Sequence, residues 1–147
     1  MSRSHDVLVV EDNDDDFETV VEALRHTGLA NQIRRAVSGT QCVAQMREGV
    51  AHPSSLPAFV LLDLNTPNDD GRDALLQIKA DDALRLIPVV VISASLNPRD
   101  IDFCYRNGIG AYHIKSVNHA THLETLQKIF SYWLVDALLP TGRSLEK

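Results

Sequence analysis

A chain of 147 residues that is 44% hydrophobic can bury one core of ordinary size, and a formal net charge of -6 without a Lys/Arg cluster excludes a binder that tracks nucleic-acid phosphates. Cys42 and Cys104 stand far from any second thiol, which excludes a disulfide framework and a thiolate metal site and makes a reducing cytoplasm the expected compartment. No window approaches the ~18 apolar residues of a membrane span, and the N-terminus carries no apolar signal core.

In chain order, Val7 to Val10 is a β-branched run that reads as a strand and ends in Glu11 and Asp12, after which the chain stays acidic to Asp16. Phe17, Val20, Val21 and Leu24 recur at helical spacing and predict a helix stopped by Gly28. Residues 31–37 predict a weaker strand, and Ser38 opens a helix carrying Cys42, Val43 and Met46. Two prolines and two serines make 52–57 a loop. Phe59, Val60, Leu61 and Leu62 are continuously apolar, as in a strand buried on both faces, and the run ends abruptly in Asp63, with Pro67 and Gly71 as punctuation beyond.

A helix over 72–82 follows, then a second continuous apolar strand over 89–92 that ends at Ser93. Asn97 caps and Pro98 begins a helix to residue 107, stopped by Gly108. A short strand over 110–114 delivers Lys115, and residues 119–138 predict one long helix. Five strands alternating with five helices predict a single doubly wound α/β domain over 1–140, its parallel sheet covered on both faces. The polar stretch 141–147 is expected to be a disordered tail or an expression remnant.

This topology brings Glu11, Asp12, Asp63, Ser93 and Lys115 to one edge of the sheet, where open parallel sheets bind ligands. Carboxylates gathered there repel one another by up to several kcal/mol, roughly, and a divalent cation relieves the repulsion. Hard oxygen ligands without His or Cys favour Mg2+, held by Asp12 and Asp63 directly, by Glu11 through a water and by the backbone carbonyl of Asn65. Asp63 can then attack a phosphoryl donor, while Lys115 and the hydroxyl of Ser93 neutralise or bond its oxygens. Asp14, Asp15 and Asp16 complement a helix N-terminus, and Asp16 can touch the outer shell of the pocket.

With Glu11-Asp12-Asn13, Asp63-Leu64-Asn65-Thr66-Pro67, Val90-Val91-Ile92-Ser93-Ala94 and Tyr112-His113-Ile114-Lys115, the chain resembles the receiver domain of two-component response regulators over nearly its whole length. Asp63 to Arg72, Arg85 to Val91, and Tyr132-Trp133-Leu134 with Leu139-Pro140 resemble the single-domain regulators of bacterial and cyanobacterial phytochromes. The resemblance implies a flavodoxin-like sheet of order 2-1-3-4-5 and phosphoryl transfer from a histidine kinase, a bacteriophytochrome, to Asp63. It also implies slow self-dephosphorylation and a switch in which the Ser93 hydroxyl and the Tyr112 ring report the phosphate. Two departures stand out. Receivers usually carry proline after the lysine, in a cis peptide, where this chain has Ser116, so the loop either holds a strained cis bond or takes another path. Thr66 stands where an aliphatic residue is more common.

Other motifs weigh less. Asp12 to Asp16 begins like a calcium loop, but Phe17 and Ala23 occupy the positions of its glycine and glutamate. His119 and His122 have a metal-sharing spacing without a third ligand and are expected to be solvated. The last helix looks too apolar for one buried stripe, so Ile129, Tyr132 and Trp133 are expected to meet a second subunit, a homodimer through the fifth strand and helix being the preferred form. No effector segment is seen after Leu139, so output is expected through protein contacts, with no nucleic acid or membrane involved. The rivals are an Mg2+-dependent phosphatase or phosphotransferase with Asp63 as nucleophile, disfavoured by Asn65 where a second acid is needed, and a phosphate-independent interaction module.

Overall fold

In the computed structural model, which describes residues 5–140, the strands β1 (Val7–Val10), β2 (Ile33–Ala36), β3 (Phe59–Asp63), β4 (Val89–Ser93) and β5 (Ala111–Ile114) form one parallel sheet. Their order is β2-β1-β3-β4-β5. Helices α1 (Asp14–Thr27), α2 (Gly39–Val50), α3 (Asp70–Ala80), α4 (Pro98–Arg106) and α5 (His119–Ser131) connect and cover the strands. The expected tail at 141–147 lies outside the described residues. No described helix is long and apolar enough to cross a membrane.

Strand alternation splits the core into two layers. Leu8, Val10, Val60, Leu62, Val89 and Val91 pack with Cys42, Val43 and Met46 of α2 and Ala74, Leu75 and Ile78 of α3. Their sequence neighbours Val7, Val9, Phe59, Leu61, Val90 and Ile92 face the other way, onto Val20, Ala23 and Leu24 of α1 and Leu126, Ile129 and Phe130 of α5. The three central strands are therefore buried on both faces, which is why they read as unbroken apolar runs.

Helix ends follow the local chemistry. Asn13 caps α1 by accepting the Asp16 amide at 2.9 Å, and Gly28 closes it with φ of 76°, its N–H donating to the Arg25 carbonyl at 3.1 Å. α2 is capped twice: Ser38 accepts the Gln41 amide at 3.1 Å, and Asp70, from the start of α3, accepts the amides of Gly39 and Thr40 at 2.9 Å each. Those bonds and that helix N-terminus hold the Asp70 carboxyl below its ordinary range, against the opposing effect of burial.

α3 starts at Asp70 rather than Arg72, because Thr66 turns its hydroxyl inward to accept the Gly71 amide at 2.7 Å, with Asn68 and Asp69 in left-handed conformations between them. The continuous helix expected over 119–138 ends sooner: α5 gives way to a π-helical turn, Tyr132–Asp136, closed by a bond from the Ala137 amide to the Tyr132 carbonyl at 2.8 Å. The wider turn seats Trp133 against Phe59, ring centroids 6.2 Å apart, and over Gly110, where a Cβ would lie 2.7 Å from the indole.

Candidate functional site

Register places Val10 beside Leu62, Asp63 beside Ile92 and Ser93 beside Ile114. Glu11, Asp63, Ser93 and Lys115 thus come to the carboxyl edge of the sheet without any help from side chains. Asp63 is 2% exposed, and both of its carboxylate oxygens are engaged. Oδ1 accepts the Asn65 amide at 2.8 Å in a local turn, and Oδ2 accepts from Lys115 Nζ at 2.9 Å. Lys115 also donates to Asp16 Oδ2 at 2.8 Å and stands 3.5 Å from Glu11 Oε1. Glu11 is itself buried, its Oε2 accepting the Asn13 amide at 3.2 Å.

The charges do not balance within this pocket. Burial, a hydrogen bond shared with Asp63 and the Asp63 charge push the Glu11 carboxyl up to about 8, with Lys115 and the Asn13 amide opposing. Burial alone would lower Lys115, but its bonds to Asp16 and Asp63 and the charges of Asp63 and Glu11 outweigh it and raise the ammonium above its ordinary range. One cation thus serves three acids, and the surplus is negative. Glu11, Asp16 and Asp63 each offer a carboxylate oxygen, all within 4.8 Å of one another. That hard-oxygen set, close-packed and short of positive charge, fits Mg2+.

Several residues behave otherwise than the sequence suggested. Asp16, placed at the outer shell, is a central member of the pocket; its position three residues after the cap Asn13, in the first turn of α1, was the available signal. His122, expected to be solvated, is 7% exposed, and its Nδ1 is buried without a hydrogen-bond partner among the described residues. Burial, then the nearby Lys115 charge, lowers its pKa, so it stays neutral beside the pocket. His119 is exposed, 3.8 Å from Glu22. Asp12 is exposed and outside the close acidic group, whereas Asn65 meets Asp63 through its amide. The Lys115–Ser116 bond is trans, as are all others described, so the loop takes the other path.

Ser93, 6% exposed, accepts the Ser95 amide at 3.1 Å on its hydroxyl, and its carbonyl accepts the Lys115 amide at 2.8 Å. From Ser95 the bonds spread outward. Its carbonyl accepts the Tyr112 hydroxyl at 2.9 Å, and its own hydroxyl donates to Asp100, which pairs with Arg72 at 2.7 Å. The loop between β4 and α4 is therefore tied to β5 through Tyr112 and to α3 through Arg72. Bonds to Ser95 and Arg72 hold the Asp100 carboxyl below its ordinary value.

On the far side of β5, Ile129 is 2% exposed and belongs to the core, because it turns onto the sheet with Leu126 and Phe130. It offers a second subunit no more than the floor of the cleft lined by Tyr132 and Trp133. Tyr132 is 52% exposed and meets Trp133 edge-on at 5.1 Å, and the two line a cleft of about 410 Å³ with Gly110 and His113.

Residues 7–127 match the family model described as the response regulator receiver domain. This chain belongs to the response regulator receiver family. The matched stretch of the receiver runs from β1 into α5 and contains every residue of the acidic pocket. Over 137 residues the receiver is 34% identical to response regulator Rcp1 of Synechocystis sp., covering 92% of this chain and 93% of that one. It is also 34% identical over 128 residues to the probable methanogenesis regulatory protein FilR2 of Methanothrix harundinacea, covering 87% and 83%. Among solved structures, that of the phosphorylated cyanobacterial phytochrome response regulator RcpA superposes with a TM-score of 0.86 at 35% identity, covering 94% of this receiver and 99% of that chain. The Mn2+-bound form of Rcp1 gives 0.85 at 33% identity, covering 93% and 99%.

Proposed function

We propose that this receiver is a phosphoacceptor in a two-component relay, taking a phosphoryl group from a sensor histidine kinase onto Asp63 and signalling by protein contact. The observation that carries the reading is the state of Asp63: a buried strand-end carboxylate fixed at both oxygens, one of them by a lysine shared with two more acids. In the transfer, an Asp63 oxygen attacks phosphorus, the P–O bond forms as the P–N bond to the kinase histidine breaks, and the bond electrons leave with the ring nitrogen, which takes up a proton. Lys115 moves from the carboxylate to a phosphoryl oxygen, and the buried Ser93 hydroxyl, which accepts the Ser95 amide, donates its own hydrogen to another. Bound at Glu11, Asp16 or Asp12, and Asp63, Mg2+ would supply neutralisation of the charge that gathers on the transferring group.

The resemblance to Rcp1 and RcpA favours a bacteriophytochrome as the kinase, in a cytoplasmic setting. The edge strand β5, with exposed Tyr105, Ile114, Val117 and Tyr132 around it, favours a homodimer through β5 and α5. Incubation with Mg2+ and acetyl phosphate, followed by intact mass, tests the core of the reading. Wild type should gain one phosphoryl group and Asp63→Asn none; an unlabelled wild type would refute it. Turnover of a generic phosphate ester would favour the phosphatase reading instead, although Asn65 stands where that chemistry needs an acid.

A further inference from the structure

We infer that Asp16 is a positioning residue for phosphoryl transfer, its carboxylate holding the Lys115 ammonium over Asp63; the inference rests on the phosphoacceptor reading above. Lys115 leaves the edge strand β5 into a loop where Ser116 follows it and Val117 is fully exposed. The hydrogen bonds of that loop are local, from the Asn118 amide to Ser116 Oγ and from the Thr121 amide to Asn118 Oδ1. Neither touches the lysine side chain. The side chain is 19% exposed, so packing confines its four-carbon stem, and the partners of the ammonium fix where the charge itself points.

Nζ has two short partners, Asp16 Oδ2 at 2.8 Å and Asp63 Oδ2 at 2.9 Å, with Glu11 farther off at 3.5 Å. Of the short pair, Asp63 is the reacting group: once its oxygen carries phosphorus, that contact is lost. Asp16 stays as it was. It projects from the first turn of α1, where its amide is bonded to the Asn13 cap, so it sits on a rigid element that the chemistry leaves alone. Before transfer, Asp16 draws part of the ammonium's charge away from Asp63 and leaves the nucleophile freer. During transfer, an ammonium tethered at Asp16 swings to a phosphoryl oxygen rather than into solvent.

The test uses the full chain and three readouts. Acetyl phosphate labelling with saturating Mg2+ should slow about ten-fold in Asp16→Asn and recover to within about three-fold of wild type in Asp16→Glu. In a Lys115→Met background, adding Asp16→Asn should change the rate by less than about two-fold, because a residue acting through the lysine has nothing left to act on. Mg2+ affinity, read by calorimetry without phosphodonor, fixes the Mg2+ level that saturates each variant, so that a weaker metal site in Asp16→Asn does not itself lower the labelling rate. Equal slowing in both lysine backgrounds overturns the inference. Trace acetylation of Lys115, read by peptide mass without Mg2+, is independent of phosphorylation and should rise at least about three-fold in Asp16→Asn. An unchanged acetylation rate sinks the inference even where labelling works, and an unlabelled wild type with raised acetylation sinks the phosphoacceptor reading while sparing the tether.

Discussion

Glu11→Gln should make the metal-free protein more stable at alkaline pH, and the size of the effect follows from the pocket. In the unfolded chain the Glu11 carboxyl ionises at its ordinary 4.5, and in the folded chain at about 8. Below 4.5 the group is protonated in both states and costs nothing. Between the two values the unfolded chain releases the proton while the folded chain keeps it, so stability falls as pH rises, and above about 8 the loss is complete. At ~1.4 kcal/mol per unit, the interval between those values sets a ceiling of about 5 kcal/mol. Water reaches the pocket beside Asp16, whose side chain is 40% exposed, and the higher local dielectric brings the expected penalty to about 2 kcal/mol. For a domain of this size that is roughly 8 °C in Tm. Glutamine keeps an acceptor for the Asn13 amide and carries no charge. Thermal melts by circular dichroism in a chelator should therefore show the variant gaining on wild type from about pH 5 to pH 9, and added Mg2+ should stabilise wild type more than the variant. A difference that stays flat with pH, or a variant that melts lower at the alkaline end, would refute the account of the pocket's charge.

Gly110→Ala places a Cβ 2.7 Å from the Trp133 ring and should cost about 1–3 kcal/mol by urea titration, with a changed emission from the single tryptophan. Asp70→Ala removes the second cap of α2 and should cost about 1–2 kcal/mol in the same titration. Asp100→Ala cuts the link between Ser95 and Arg72, so amide exchange around the start of α4 should quicken while β1 and β3 stay protected. On the proposed β5–α5 dimer, Tyr132→Asp should shift the chain toward monomer by light scattering without lowering Tm by more than about 2 °C, because the side chain is half exposed and outside both core layers.

The central strands and their order of use were legible because burial on both faces forces runs such as Val89 to Ile92, and because a carboxylate ending such a run has few reasons to be there. Register then did the rest, since parallel pairing alone carries Glu11 to Asp63 and Ser93 to Lys115. What stayed hidden depends on phase and on distance. Whether Asp14, Asp15 or Asp16 turns inward is set by the exact start of α1, which rests on the Asn13 cap. His122 lies one turn before Leu126 on the buried face of α5, so the helical spacing held the signal, and only its polar side chain argued for solvent. The pair Arg72–Asp100 joins residues from different βα units, and each alone reads as a surface charge. Ile129, Tyr132 and Trp133 were grouped because all three could not face one sheet; Ile129 in fact shares the buried face of α5 with Leu126 and Phe130, and only Tyr132 is half exposed.

The capping of α2 by Asp70 gives the acceptor loop a second anchor. Asp63 and Asp70 bracket a short segment of the chain, one end fixed in the middle of the sheet and the other bolted to the start of α2 by three bonds to Gly39 and Thr40. A phosphoryl group that pushed this segment outward would have to drag the α2 N-terminus with it or break those bonds. In the proposed phosphoacceptor, strain in this segment would therefore be felt at the start of α2 as well as in the loop after β4.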